Sequence, residues 1–404
     1  KKKVWIKGKR LMVMDKKLIP YRIRQARTSR SMSMSELAEL LDVSKQLVSQ
    51  YETGKTTPSM GKLNEISKVL RYPVSFFYKP SPQNESASSV VFFRSNRTAK
   101  VKCKNAAKEK MEIFCEIVDY IEEYVNLPKL NFPKVSYEDE DLNPLDNETI
   151  EMYATALRKA WNLGNGPIGN LMVEVQKNGI YVSKISLRLQ KIDAFSVWMN
   201  NKPYIFLNDD KNTNARIRFD IAHELGHLLM HADYYSSEDF EKKTIKDKLE
   251  DEANRFAGAF LMPKESFSKD VFSSSIDHFI QLKRKWKASI SSMIYRCDAL
   301  GILSDNQIKY LKDQMTRRVY WRKEPLDNEI PIERPFMCKQ AINLLLDNNV
   351  LTPSQISEDI GCYPDEIEEY CYLEKGTLAI KTDTSNVISL KDRKFRIKNE
   401  GPLS

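Results

Sequence analysis

The chain has 404 residues, more than one compact core organises, so two or three domains are expected. Its hydrophobic share of 41% and charged share of 29% are ordinary for a globular protein, and no apolar run reaches membrane-spanning length, so a helical membrane protein is excluded. The net charge of +9 is unevenly placed. Residues 1–80 carry 18 Lys and Arg against 6 Asp and Glu, and the rest carry 46 against 49. That asymmetry predicts a nucleic-acid-facing module on a near-neutral body. A solvated basic tail does not account for it, since residues 11–80 alone still carry +6.

The opening Lys1-Lys2-Lys3-Val4-Trp5 lacks the apolar stretch of a secretory signal. Cys103, Cys115, Cys297, Cys338, Cys362 and Cys371 are scattered without a Cys-x-x-Cys pair, which argues against a disulfide framework and against a thiolate zinc site. A cytoplasmic setting is expected.

From Ile19 to Phe77 the apolar spacing is helical with short breaks. Helices are expected over Tyr21–Ser29, from near Ser35, and over Lys45–Glu52 behind Ser44 as N-cap; Gly54 stops the third and Pro58-Ser59 opens a fourth. The run Leu37–Lys55 resembles the Xre/Cro-repressor helix-turn-helix, with Ala38, Val43 and Val48 packing the two helices together. Lys45, Gln46, Ser49 and Gln50 would then stay outward, where Lys and Gln reach base edges in the major groove; Lys55 and Thr56 would touch phosphates, and Ser44 is also expected to contact DNA. The resemblance also implies an ion pair between Arg27 and Glu52. Met34 stands where the family often has a glutamine that touches the DNA backbone.

Residues 79–105 read as a linker rich in Ser, Asn and Pro, interrupted by the apolar Val90-Val91-Phe92-Phe93, expected to dock on a neighbouring domain. Helical periodicity follows over Ala106–Val125 and Asn147–Trp161. Strand signals then cluster at Gly179–Val182, Phe195–Trp198 and Tyr204–Leu207, the last two flanking a hairpin turn. A small antiparallel sheet is expected, with Tyr204–Leu207 as an edge strand able to hold an extended substrate.

Arg216–His231 reads as one amphipathic helix. His223 and His227, four residues apart, project from one face and can share a tetrahedral zinc ion. Glu224 is placed to accept a proton from water that the metal activates. Gly226 clears space for close packing. A chance match on a core helix is a poor account, because three of the chain's 4 histidines are His223, His227 and His231. His231 lies about 12 Å along the axis from His223, too far to share the ion, and is read as a residue supporting a ligand, facing substrate or merely packed. The third ligand is expected from the helix containing Glu250-Asp251-Glu252-Ala253-Asn254. By its likeness to the gluzincin arrangement, Glu250 is the ligand and Asn254 orients a histidine; Glu252 is the alternative.

Pro203–Asn208, Arg216–His231, Glu252–Ala257 and Leu261-Met262-Pro263 together resemble the ImmA/IrrE metallopeptidases. With the Xre-like head the resemblance spans about residues 20–325. It implies a minigluzincin-like fold holding one Zn2+, and regulated cleavage of a transcriptional repressor during stress, DNA damage or mobile-element induction.

Beyond it, Ile276–Leu303 is helical, and Lys283, Arg284, Lys285 and Lys287 read as a solvated face beside Trp286. Ser354–Tyr370 is helix-turn-helix-like, but Asp365, Glu366, Glu368 and Glu369 make a poor DNA surface and favour contact with protein. His278 reads as structural.

The expected class is α+β, mostly helical. A DNA-binding domain at 1–78 and a linker at 79–105 precede a zinc peptidase domain at 106–310 and a helical region at 311–404. The expected function is a DNA-binding zinc metallopeptidase with an operator and a repressor-like protein as partners, no membrane, and a possible homodimer. The alternative is a regulator whose zinc domain senses a signal without turnover.

Overall fold

Of the four N-terminal helices, the first opens on Pro20 and the other three start where a serine hydroxyl caps them. In the computed structural model, which describes residues 17–80, 91–95, 101–135, 144–185, 192–208, 213–231 and 243–379, α1 (Pro20–Ser29) is followed by α2 (Met34–Leu40), α3 (Lys45–Thr53) and α4 (Met60–Leu70). Ser33, Ser44 and Ser59 accept from the N–H groups of Glu36, Leu47 and Lys62 in the first turns of α2, α3 and α4. Gly54 ends α3 in the left-handed region at φ 74°, as a glycine stop should. Ala38 and Val48 are buried, and Val43 is partly buried against them. The basic first ten residues and the Ser/Asn-rich stretch Ser81–Ser89 lie outside the described residues.

The expected linker at 79–105 is corrected by two elements: β1 (Val91–Ser95) is a strand, and α5 (Val101–Glu122) already begins inside it. After α6 (Asn147–Ala160) and α7 (Leu171–Lys177) come β2 (Tyr181–Ile185), β3 (Ile192–Met199) and β4 (Lys202–Asn208). The sheet order is β1-β3-β4-β2. It is mixed, not purely antiparallel as expected: β1–β3 and β3–β4 are antiparallel, while β2–β4 is parallel. β4 is therefore interior, flanked by β3 and β2, and is not an edge. Strand periodicity identifies strands, but it carries no information on which strands become neighbours.

Alternate side chains send the two sheet faces into different cores. Phe195, Val197, Tyr204 and Phe206 join the helix-turn-helix residues, α5 and the C-terminal helices α14 (Met337–Asp347), α15 (Pro353–Ile360) and α16 (Pro364–Cys371). Ala194, Ile205 and Leu207 join α6, α7, α8 (Asn214–Gly226), α9 (Lys243–Leu261), α10 (Lys264–Asp270), α11 (Ile276–Trp286), α12 (Ile290–Ala299) and α13 (Asp305–Arg317).

The expected boundary at 310/311 falls inside α13, which buries Ile308, Leu311 and Met315 in the second core. Buried Glu333 reaches further back, 2.6 Å from Arg218 Nη1 and accepting from Met172 N. Lys283 is not on a solvated face: it is buried 2.7 Å from Glu324 and 2.5 Å from Asp327.

The helix-turn-helix is fastened to the body through residues that lie outside α3. Arg22 is buried and donates to Glu116 of α5 at 2.6 Å. Both Arg30 Nη groups donate to Glu366 at 2.8 Å, while its guanidinium lies 4.3 Å from the Tyr72 ring centroid. Arg71 pairs with Asp365, and Lys79 donates to Ile360 O. Two acids of α16 thus meet two arginines of the head.

Candidate metal centre and DNA-reading face

α8 crosses beneath β3 and β4 and packs along α9. Gly226 permits the approach: a Cβ there would stand 3.0 Å from Phe256 Cδ1. The expected single helix through His231 is instead α8 followed by a π-turn at His227–His231. His223, Glu224, His227 and His231 are all buried.

The Nε2 atoms of His223 and His227 face each other at 3.0 Å. The Glu250 carboxylate on α9 stands 3.5 Å from the first and 3.8 Å from the second. These three residues form a group of metal-ligating type among the described residues. Ligand atoms bound tetrahedrally at ~2.1 Å from one ion stand ~3.4 Å apart, so the spacings fit a single small divalent cation. Glu252 takes no part: it accepts from Leu145 N at 2.9 Å and lies 3.0 Å from His231 Nε2.

The far side of each imidazole is also occupied. His223 Nδ1 lies 3.0 Å from Asn254 Oδ1, and His227 Nδ1 lies 2.9 Å from His231 Nδ1. Burial pushes the His231 imidazole below its ordinary value, against the pull of Glu252. A neutral His231 that donates to Glu252 accepts at Nδ1, which makes His227 the donor there and leaves its Nε2 lone pair aimed at the centre. Ser196 was not foreseen. It lies on the face of β3 turned to α8 and donates to Glu224 Oε2 at 2.6 Å. Strand alternation from buried Phe195 and Val197 was the signal that could have placed it.

In the head, Lys45, Gln46, Lys55 and Thr56 are exposed and Ser49 and Gln50 half-buried, all on or just after α3. Ser44 Oγ accepts from Leu47 N at 3.1 Å. Thr56 Oγ1 donates to Gln50 Oε1 at 3.3 Å, tying the turn after α3 to the helix face. Arg27 and Glu52 form a two-pronged pair, Nε–Oε1 2.5 Å and Nη2–Oε2 2.9 Å.

Comparison with known proteins decides what these two parts are. Residues 23–77 match the helix-turn-helix family model, and residues 175–298 match the peptidase family model described as IrrE N-terminal-like domain. The chain joins a helix-turn-helix domain to an IrrE-like domain.

The head of this IrrE-like protein is 39% identical over 61 residues to an HTH-type transcriptional regulator of Sinorhizobium medicae (strain WSM419), and to one of Rhizobium meliloti (strain 1021). Each match covers 15% of the chain and 44% of the relative. A transcriptional regulator in the ATPase CF(0) region of Rhodospirillum rubrum is 35% identical over 57 residues, 14% of the chain and 53% of that protein. The chain thus spans about half the length of these relatives. Among the described residues no helix is long and apolar enough to cross a membrane.

Proposed function

We propose that the protein is a DNA-binding zinc metallopeptidase that controls transcription by cutting a repressor or another partner protein. One observation carries the reading: His223, His227 and Glu250 converge at ligand spacing, with Glu224 next in the chain to the first of them. His223, His227 and Glu250 would hold the ion. When bound, zinc would polarise a peptide carbonyl and make water acidic near neutral pH.

The chain's own groups do the rest. Glu224 takes a proton from the attacking water and returns it to the leaving amine. Ser196 holds one oxygen of that carboxylate, fixing its direction. Asn254 and the His231–Glu252 pair keep both imidazoles turned inward. On the other module, Lys45, Gln46, Ser49 and Gln50 would read bases, with Ser44, Lys55 and Thr56 at the backbone, and two copies would occupy two half-sites.

The deep burial of Glu224 favours one second reading, a metal-bearing sensor that regulates without turnover. Glu224→Gln separates the two. Expected is retained zinc with loss of partner cleavage, tested by following the repressor in cells before and after DNA damage. Regulation that survives Glu224→Gln, yet is lost on substituting Lys45 and Gln50, would establish the sensor.

A further inference from the structure

β2, β3 and β4 come from residues 181–208 and would make a sheet by themselves, but the fourth strand does not belong to that run. β1 lies in the segment joining the helix-turn-helix to α5, and it takes the outer edge of β3 in antiparallel register. β3 is the strand most intimate with the metal centre. Ser196 holds Glu224, and Trp198 Nε1 donates to Leu228 O at 3.3 Å. In the β1–β3 register, Phe92 stands opposite Ser196.

An open strand edge presents unpaired N–H and C=O groups to any extended chain, and such edges bind peptides by strand addition. Here that edge is filled, and His223, Glu224 and His227 are buried. We infer that β1 is an inhibitory strand: it occupies the outer edge of β3, where an extended substrate would pair beside the metal centre, and has to leave before substrate can bind. The substrate is then an extended polypeptide segment, rich in strand-forming residues like Val91-Phe92-Phe93, that takes the place of β1.

The topology suits an exchange. The β3–β4 and β2–β4 ladders do not depend on β1, and the β1 register is regular only from Val91 to Phe93, breaking before Ser95. The inference rests on the peptidase reading for its purpose, but the strand site can be tested without catalysis.

The test uses the full-length, zinc-loaded chain carrying Glu224→Gln, so that nothing is cut. The probe is a fluorescein-labelled peptide of residues 88–97. Val91→Pro with Phe93→Pro removes two strand N–H donors from β1. Fluorescence anisotropy should show at least tenfold tighter probe binding to this variant than to the chain with β1 intact. A second variant, with residues 91–95 replaced by Gly and Ser, should tighten binding equally, which guards against a fold damaged by proline. Equal affinity for opened and intact chains, or no binding to either, overturns the inference. With Glu224 restored, a probe that binds the opened chain but stays uncut still keeps the strand site, so the strand site and the peptidase reading fail separately.

Discussion

The Nδ1 atoms of His227 and His231 face each other at 2.9 Å, so one of them must carry a proton and the other accept it. The Glu252 carboxylate, 3.0 Å from His231 Nε2, settles which: His231 donates outward and accepts inward. Glu252 therefore acts on the centre through two imidazoles, while Glu250 faces it directly. Glu252→Gln or His231→Ala should weaken zinc binding about 10–100-fold, the usual cost of losing a partner behind a ligand. Glu250→Gln should weaken it more. Competition against a chromophoric chelator measures all three, and equal losses for Glu250→Gln and Glu252→Gln would contradict the assignment.

A side chain at Gly226 should force Phe256 to give way. Its added Cβ meets Phe256 at 3.0 and 3.3 Å on a helix pair already in close contact. Gly226→Val is expected to destabilise by about 1–3 kcal/mol, as overpacking does, and Phe256→Leu should recover part of it. Thermal melting of the single and double variants reads this out.

The joint between head and body should depend on pH. The Tyr21 hydroxyl has one proton, yet lies 2.7 Å from Glu112 Oε2 and 3.0 Å from Glu109 Oε2. Burial first, and the Glu112 charge second, push the Glu109 carboxyl up to about 7, against the opposing pull of the Tyr21 hydrogen bond, Lys108 and Arg24. A value raised on folding means the contribution is complete below the ordinary carboxyl range and is lost as pH rises through about 7. Glu109→Gln should therefore be more stable than wild type at pH ~8, by no more than about 3 kcal/mol, and nearly equal to it at pH ~5. Identical melting curves at the higher pH would contradict this.

On the DNA side, Lys45→Ala should lower operator affinity and relax sequence preference, as loss of a base reader does; a slope of log K against log salt reduced by about 1 with sequence preference unchanged would make Lys45 a phosphate contact instead. Arg27→Ala should act differently. It strands Glu52 in a nearly buried pair, so it should cost up to about 3–5 kcal/mol of stability and lower affinity only through the fold. Melting and binding measured together separate the two effects.

Much of this was legible in the sequence because it depends on local spacing. Ser44 and Gly54 bound α3 whatever surrounds them, and the four-residue interval fixes His223 and His227 on one face. Glu250 and Asn254 share a face of α9 by the same rule, whereas Glu252 points about 160° away; that periodicity, given full weight, favours Glu250. Tertiary relationships were not legible. The π-turn that brings His231 onto His227, the placing of β4 between β2 and β3, and the burial of Lys283 beside Glu324 all depend on partners distant in the chain. β1 was missed as a strand because its five residues sit in a stretch of linker composition, although Val91-Phe92-Phe93 carried the signal.

The central claim is that His223, His227 and Glu250 bind one metal ion together. X-ray absorption on the purified full-length chain, with metal content measured on the same sample, addresses it most directly. The account predicts about one zinc per chain with two nitrogen neighbours at ~2.0–2.1 Å and the remainder oxygen, the zinc being lost in Glu250→Gln with His223→Ala. A chain that takes up no zinc, or whose zinc has sulfur neighbours, would contradict it.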